Sequence, residues 1–383
     1  MFHDKYLEDL KIGEIKPKGW LLKQLELQRT GLTGHLDEIW EDVSENSGWL
    51  GGTGENWERG PYYIDGLIPL SYLLSDEQLI RKSEFWIHKI LMSQKENGFF
   101  GPSDNTDWWP RMIVLKAFKS YFEATNDKRI IDFMLSYLKY QKNNINHKPL
   151  KIWAHMRGAD EVIILKWLYE ITHEKFLYEL AKTLNNQTAD WRRYFQEFPY
   201  QTSMSNYMNW KETEENILRF GWENIEKENN ALFYKFHFSH GVNIAMAIKK
   251  IVADSFFEEF NLSDETTKAL TKLKRYHGFV NGMFSSDEHL SGNNPNQGTE
   301  LCAVVEMMYS LEKIIQFTEV FYYADLLEKI AFNALPASIA PDFRAHQYDQ
   351  QPNQIKCTIA ERNWYNNLKD SNIFGLEPNF GCC

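Results

Sequence analysis

Four cysteines and a handful of carboxylates are the residues best suited to chemistry in this 383-residue chain. Cys302 follows Glu300 by two positions, and Cys382 and Cys383 are adjacent some eighty residues later. Three sulfurs and one carboxylate suit a tetrahedral Zn²⁺ site. Glu300 and Cys302 would lie roughly 200° apart on a regular helix, so they converge only in a loop or at a helix's first turn. Gly298 before them and the apolar-periodic run after them permit that placement. Spacing alone leaves open the alternative that Cys302 packs in a core and the adjacent pair is incidental. Four cysteines in a chain this long make no disulfide scaffold.

Asp287-Glu288-His289 sits in a Gly/Asn/Ser-rich stretch twelve residues before Glu300, where a carboxylic acid could protonate a leaving-group oxygen. Glu55 and Glu58, on either side of Trp57, are similar candidates, each weighed against a solvated loop acid. His240 opens a helical stretch, where it binds a ligand or caps the helix; His155 and His346 are further candidates. No phosphate-binding glycine loop, dinucleotide fingerprint, G-x-S-x-G elbow or H-E-x-x-H helix is present.

The elements that must position these groups read as helices. Apolar residues recur at three- and four-residue spacing over 77–94, 111–124, 129–140, 161–172, 174–195, 239–253, 265–274, 300–317 and 322–335. Candidate strands are few and short. Consecutive helical pairs joined by short polar turns imply helical hairpins, and the absence of a fixed-period repeat favours a closed toroid over a solenoid. Long Gly-, Trp- and Asn-rich loops at 48–65, 97–110, 285–300 and 344–354 are where a site belongs. Without a linker or composition break, residues 1–383 are expected to form one domain.

The formal charge is -11, with no basic cluster of the kind nucleic-acid binding needs. No apolar run spans a membrane, and the charged N-terminus lacks a secretory stretch, which points to a cytoplasmic protein or one whose signal was removed. Aromatic residues make up 15% of the chain. They serve a large core or a carbohydrate cleft, and composition does not separate these.

Thr299-Glu300-Leu301-Cys302, with the closing Pro378-Asn379-Phe380-Gly381-Cys382-Cys383, resembles the β-L-arabinofuranosidase glycoside hydrolases, family 127 and its relatives. Asp287 to Gly292 and the run Gln347-Tyr348-Asp349-Gln350-Gln351-Pro352-Asn353 agree with that pattern, which extends from about Gly19 to the end. The resemblance implies an all-α (α/α)6 barrel, a bound zinc ion, a carbohydrate substrate and a retaining exo-glycosidase. It implies Glu300, Cys302, Cys382 and Cys383 as zinc ligands, Cys382 as nucleophile and Glu288 as acid/base, with Asp287 in reserve. His240 and Tyr348 fall on substrate-contacting positions, and Trp57, Trp108, Trp109 and Tyr348 would wall the sugar pocket. Where the family carries further histidines, this chain has Trp108-Trp109-Pro110-Arg111 and Arg157-Gly158-Ala159-Asp160. Arg111 or Arg157 would then bind a different sugar, such as an acidic one. The family continues past the adjacent cysteines into a closing barrel segment and β-sandwich domains, so this barrel is expected to lack its last stave. Two other readings stand beside this one: a two-carboxylate glycosidase on the same toroid with structural cysteines, and a non-catalytic sugar-binding protein.

Overall fold

A computed structural model describes residues 6–228, 230–364 and 369–376. The helices are α1 (Gly19–Thr30), α2 (Leu32–His35), α3 (Arg59–Leu74), α4 (Glu77–Met92), α5 (Trp109–Thr125) and α6 (Lys128–Asn144). Then come α7 (Ile152–Arg157), α8 (Ala159–Thr172), α9 (Lys175–Gln187), α10 (Trp191–Glu197), α11 (Trp210–Lys227) and α12 (Ala231–His237). The last are α13 (Gly241–Ser255), α14 (Leu262–His277), α15 (Leu301–Phe317), α16 (Tyr322–Lys329) and α17 (Leu335–Ala337).

Two kinds of helix alternate, and composition separates them. In α13 every residue from Gly241 to Asp254 is buried, and the first eight residues of α8 are buried as well. A helix apolar all round has no face to offer water, so it belongs inside. By contrast α9 buries only Leu177, Leu180, Ala181, Leu184 and Asn185, a single stripe at three- and four-residue spacing. It therefore lies outside. Packing follows: α3, α5, α8, α13 and α15 contact one another in that order as an inner arc. Helices α4, α9, α14 and α16 pack behind them. The result is the expected all-α toroid. Its inner ring is not closed by extensive packing of α15 on α3 among the described residues.

The turns are set by side-chain caps. Asp76, Asp127 and Asn261 accept backbone N–H groups at the starts of α4, α6 and α14, satisfying donors that the first helical turn leaves open. The helix expected over 174–195 breaks after Gln187, because Asp190 caps a new start at α10.

One small sheet rises at the rim. Strands β1 (Ser286–Asp287), β2 (His289–Leu290), β3 (Thr299–Glu300) and β4 (Asp349–Gln350) lie in the order β2-β1-β3-β4. β1 pairs antiparallel with β2 and parallel with β3; β3 pairs antiparallel with β4. This sheet joins the 285–300 loop to the 344–354 segment directly above the inner helices.

Candidate active site

Glu300 ends β3 and is the N-cap of α15, with extended backbone at φ −65° and ψ 136°. Cys302 follows, half-buried in the first turn. That is the geometry their spacing requires if both are to face one point. His240 is the N-cap of α13, where its Nδ1 accepts the Asn243 backbone N–H at 3.4 Å. Gly241 follows because nothing larger fits: a Cβ there would meet Ser286 Oγ at 1.6 Å. This close approach lets α13 dock under the sheet, sealed by Gly241 N–H donating to Glu288 O at 2.9 Å and Leu290 N–H donating to Ser239 O at 2.9 Å.

Glu288, between β1 and β2, is held at φ +80°, a region a β-substituted residue enters only at a cost. Its carboxylate is fixed at both oxygens. His240 Nε2 lies 3.1 Å from Oε1, and the Tyr348 hydroxyl donates to Oε2 at 2.7 Å. Burial alone would raise this carboxyl. The hydrogen bond and charge of His240, the nearby His289 and the Tyr348 hydroxyl outweigh it and hold Glu288 down to about 2. His289 faces the other way, Nδ1 2.8 Å from Ser239 Oγ, and burial pushes it down to about 3.

His240, Glu288 and Glu300 each offer one ligand atom, all within 4.8 Å of one another. This cluster could hold a metal ion, and it overlaps the sequence-derived set only at Glu300. Cys382 and Cys383 lie outside the described residues.

Arg157, at the end of α7, is nearly buried. Its guanidinium lies between two indoles, 4.8 Å from the Trp109 ring and 4.6 Å from that of Trp153. Its Nε donates to Asn243 Oδ1 at 2.8 Å, tying α7 to the helix that carries His240. Trp153 also stands edge-on to His240 at 5.2 Å. Neither Trp153 nor Asn243 was singled out from sequence. The signal for Asn243 was its place three residues after a helix-opening His240.

Two expected sugar contacts are corrected. Arg111 is fully buried, and its guanidinium donates to the carbonyls of Phe100, Pro102, Asn105 and Asp107. It clamps the 97–110 loop from beneath. Trp108 is buried, with its indole N–H donating to Lys148 O at 2.8 Å, and so is a packing residue. Several other candidates are also structural. Glu55 caps α3 through the N–H groups of Trp57, Glu58 and Arg59. Asp287 accepts from Ser291 and Gln297. His155 is hydrogen-bonded to Gln187 O, and burial pushes it down. His346 is bridged through its backbone to Gly375.

Residues 40–383 match the family described as beta-L-arabinofuranosidase, GH127 catalytic domain. The chain belongs to that family. Among solved structures it is similar to one described as a glycoside hydrolase, with a TM-score of 0.62 at 12% identity over 91% of this chain. It is also similar to a GH127 beta-L-arabinofuranosidase from Geobacillus stearothermophilus T6, with a TM-score of 0.61 at 14% identity over 94% of this chain. A third likeness is to a GH127 beta-arabinofuranosidase, with a TM-score of 0.57 at 14% identity over 94% of this chain. At these identities the likeness establishes the fold. The chain spans 55%, 63% and 59% of the lengths of these three. No curated protein sequence matches it. Among the described residues, no helix of this GH127 family member is long and apolar enough to cross a membrane.

Proposed function

We propose that the protein is a retaining exo-glycosidase of β-L-arabinofuranosidase type, in which Cys382 attacks the anomeric carbon. The observation that carries this reading is the convergence of Glu300, at the head of α15, on the His240–Glu288–Tyr348 cluster.

The donor set fits a zinc ion. Glu300 and Cys302 share one helix start, and Gly375 is hydrogen-bonded to His346 two residues from Tyr348, seven residues before Cys382. Fully extended, that length reaches about 23–25 Å. Glu300, Cys302, Cys382 and Cys383 would hold the metal, which keeps thiolates deprotonated at neutral pH.

The Cys382 sulfur displaces the leaving oxygen and forms a C–S bond, while a proton passes to that oxygen. Glu288 gives up that proton and is left as a carboxylate, which the contacts to His240 and Tyr348 stabilise. In the second step Glu288 takes a proton from water, whose oxygen displaces sulfur. Two inversions give net retention.

Elemental analysis of the purified protein and of Cys382→Ser/Cys383→Ser tests the metal. One zinc per chain is expected, lost in the variant. Cys382→Ser should abolish hydrolysis of 4-nitrophenyl β-L-arabinofuranoside. Turnover that survives this substitution would overturn the cysteine mechanism in favour of a two-carboxylate one.

A further inference from the structure

Glu58 is a half-buried carboxyl that the scheme above leaves unused. It immediately precedes α3. Its Oε2 accepts the Trp109 indole N–H at 2.7 Å and lies 3.6 Å from the Arg157 guanidinium. Among the described residues nothing hydrogen-bonds Oε1, although the side chain keeps 16% of its exposure. One oxygen is thus anchored and the other is presented.

Glu58 lines a cavity of about 260 Å³ bordered by α2, the start of α3, Leu301 and the 339–346 segment. The walls are mostly apolar, with Leu36, Trp40, Tyr62 and Phe343 among them. Tyr62, on its wall, is within electrostatic reach of both Glu58 and Cys302, which brings the cavity close to the candidate metal ligands. An apolar, ring-lined pocket with few polar groups, one of them a fixed carboxylate, suits a molecule with both C–H faces and hydroxyls. Trp109 and Arg157 fix the direction of the free oxygen before a ligand arrives, so little is lost in ordering it.

We propose that Glu58 is a sugar-binding residue whose Oε1 takes a hydrogen bond from a hydroxyl of the glycoside seated in this cavity. This rests on the glycosidase reading above. The role is specificity rather than bond-breaking, because the scheme already supplies a nucleophile and an acid/base pair. Burial raises the Glu58 carboxyl, and Arg157 and Trp109 oppose that rise, so the group is held rather than solvated.

The test is a cycle between Glu58 variants and monodeoxy analogues of 4-nitrophenyl β-L-arabinofuranoside. Wild type should lose roughly 10- to 100-fold in kcat/KM on the analogue lacking the recognised hydroxyl, the range for a hydrogen bond to a charged group. Glu58→Ala should lose a similar factor on the parent glycoside and nothing further on that analogue, while still discriminating against the other analogues. Glu58→Gln keeps an acceptor for Trp109 and carries the cycle if the alanine variant does not fold. If the variants lose rate on every substrate by the same factor, or hydrolyse the parent as fast as wild type, the sugar contact is overturned and the glycosidase reading stands. A wild-type protein that hydrolyses none of these glycosides overturns both.

Discussion

Glu288 and Glu161 are both carboxylic acids with little access to water, yet their surroundings drive them apart. Glu288 sits at the rim, between two short strands, touched by an imidazole and a phenol and held down to about 2. Glu161 is the third residue of α8, fully buried, with Gln141 donating to one oxygen at 2.9 Å and, among the described residues, no partner for the other. Burial pushes it up to about 8. The loop-borne sheet imports charge partners from distant parts of the chain, whereas the helical stack around Glu161 offers one neutral amide. Perturbed acids mark functional sites only when a charge partner accompanies the burial.

The largest effect should come from Glu288→Gln. Removing a general acid/base lowers kcat by about 10²- to 10⁴-fold. Hydrolysis of an aryl glycoside with an activated leaving group should be affected less in the first step than hydrolysis of an alkyl one. If Glu288 only shapes the pocket, KM will rise while kcat holds. The same substitution also removes a group whose folded value lies below its unfolded one. Its stabilisation exists above about pH 4.5 and is lost as pH falls toward 2, so the variant's stability deficit should be largest at neutral pH and vanish in acid.

A third arrangement sharpens the comparison. Lys249, fully buried on α13, lies 2.9 Å from Asp160 on α8 and 2.8 Å from Glu306 on α15. Here burial raises Asp160 against the pull of the shared ammonium, while the same ammonium helps hold Glu306 low. Lys249→Met strands two carboxylates inside the barrel, at a cost of about 3–5 kcal/mol measurable by urea unfolding. A loss below about 1 kcal/mol would mean that both acids take up protons as Glu161 does.

Much of the framework was legible because apolar periodicity distinguishes helices buried all round from those with one stripe. The placement of Glu300 and Cys302 was legible too, since 100° per residue forbids them a shared face except at a helix start. The contact between Glu288 and Tyr348 bridges sixty positions and exists only through β-pairing that no local pattern announces. Arg111 misled for a related reason. Its partners are backbone carbonyls of the 97–110 loop, and a sequence does not show where carbonyls point. The Lys249 trio was invisible because one residue each from three helices gives no motif. Glu58 was visible as a loop acid, but the Trp109 indole that anchors it was not.

Glu161→Gln gives the most diagnostic effect, because it alone varies with pH near neutrality. Between about pH 4.5 and about 8 the unfolded chain releases this proton and the folded chain keeps it. In that window the unfolded state binds fewer protons, so the contribution of Glu161 to stability falls as pH rises. Glutamine has nothing to titrate and still accepts from Gln141. The variant should therefore gain on wild type steadily across the window, by up to about 1.4 kcal/mol per pH unit, with no further gain above it. Urea midpoints measured from pH 5 to pH 9 read this directly. A difference that stays constant with pH would show that Glu161 is paired after all, and that burial in this helical stack carries no more penalty than burial at the rim.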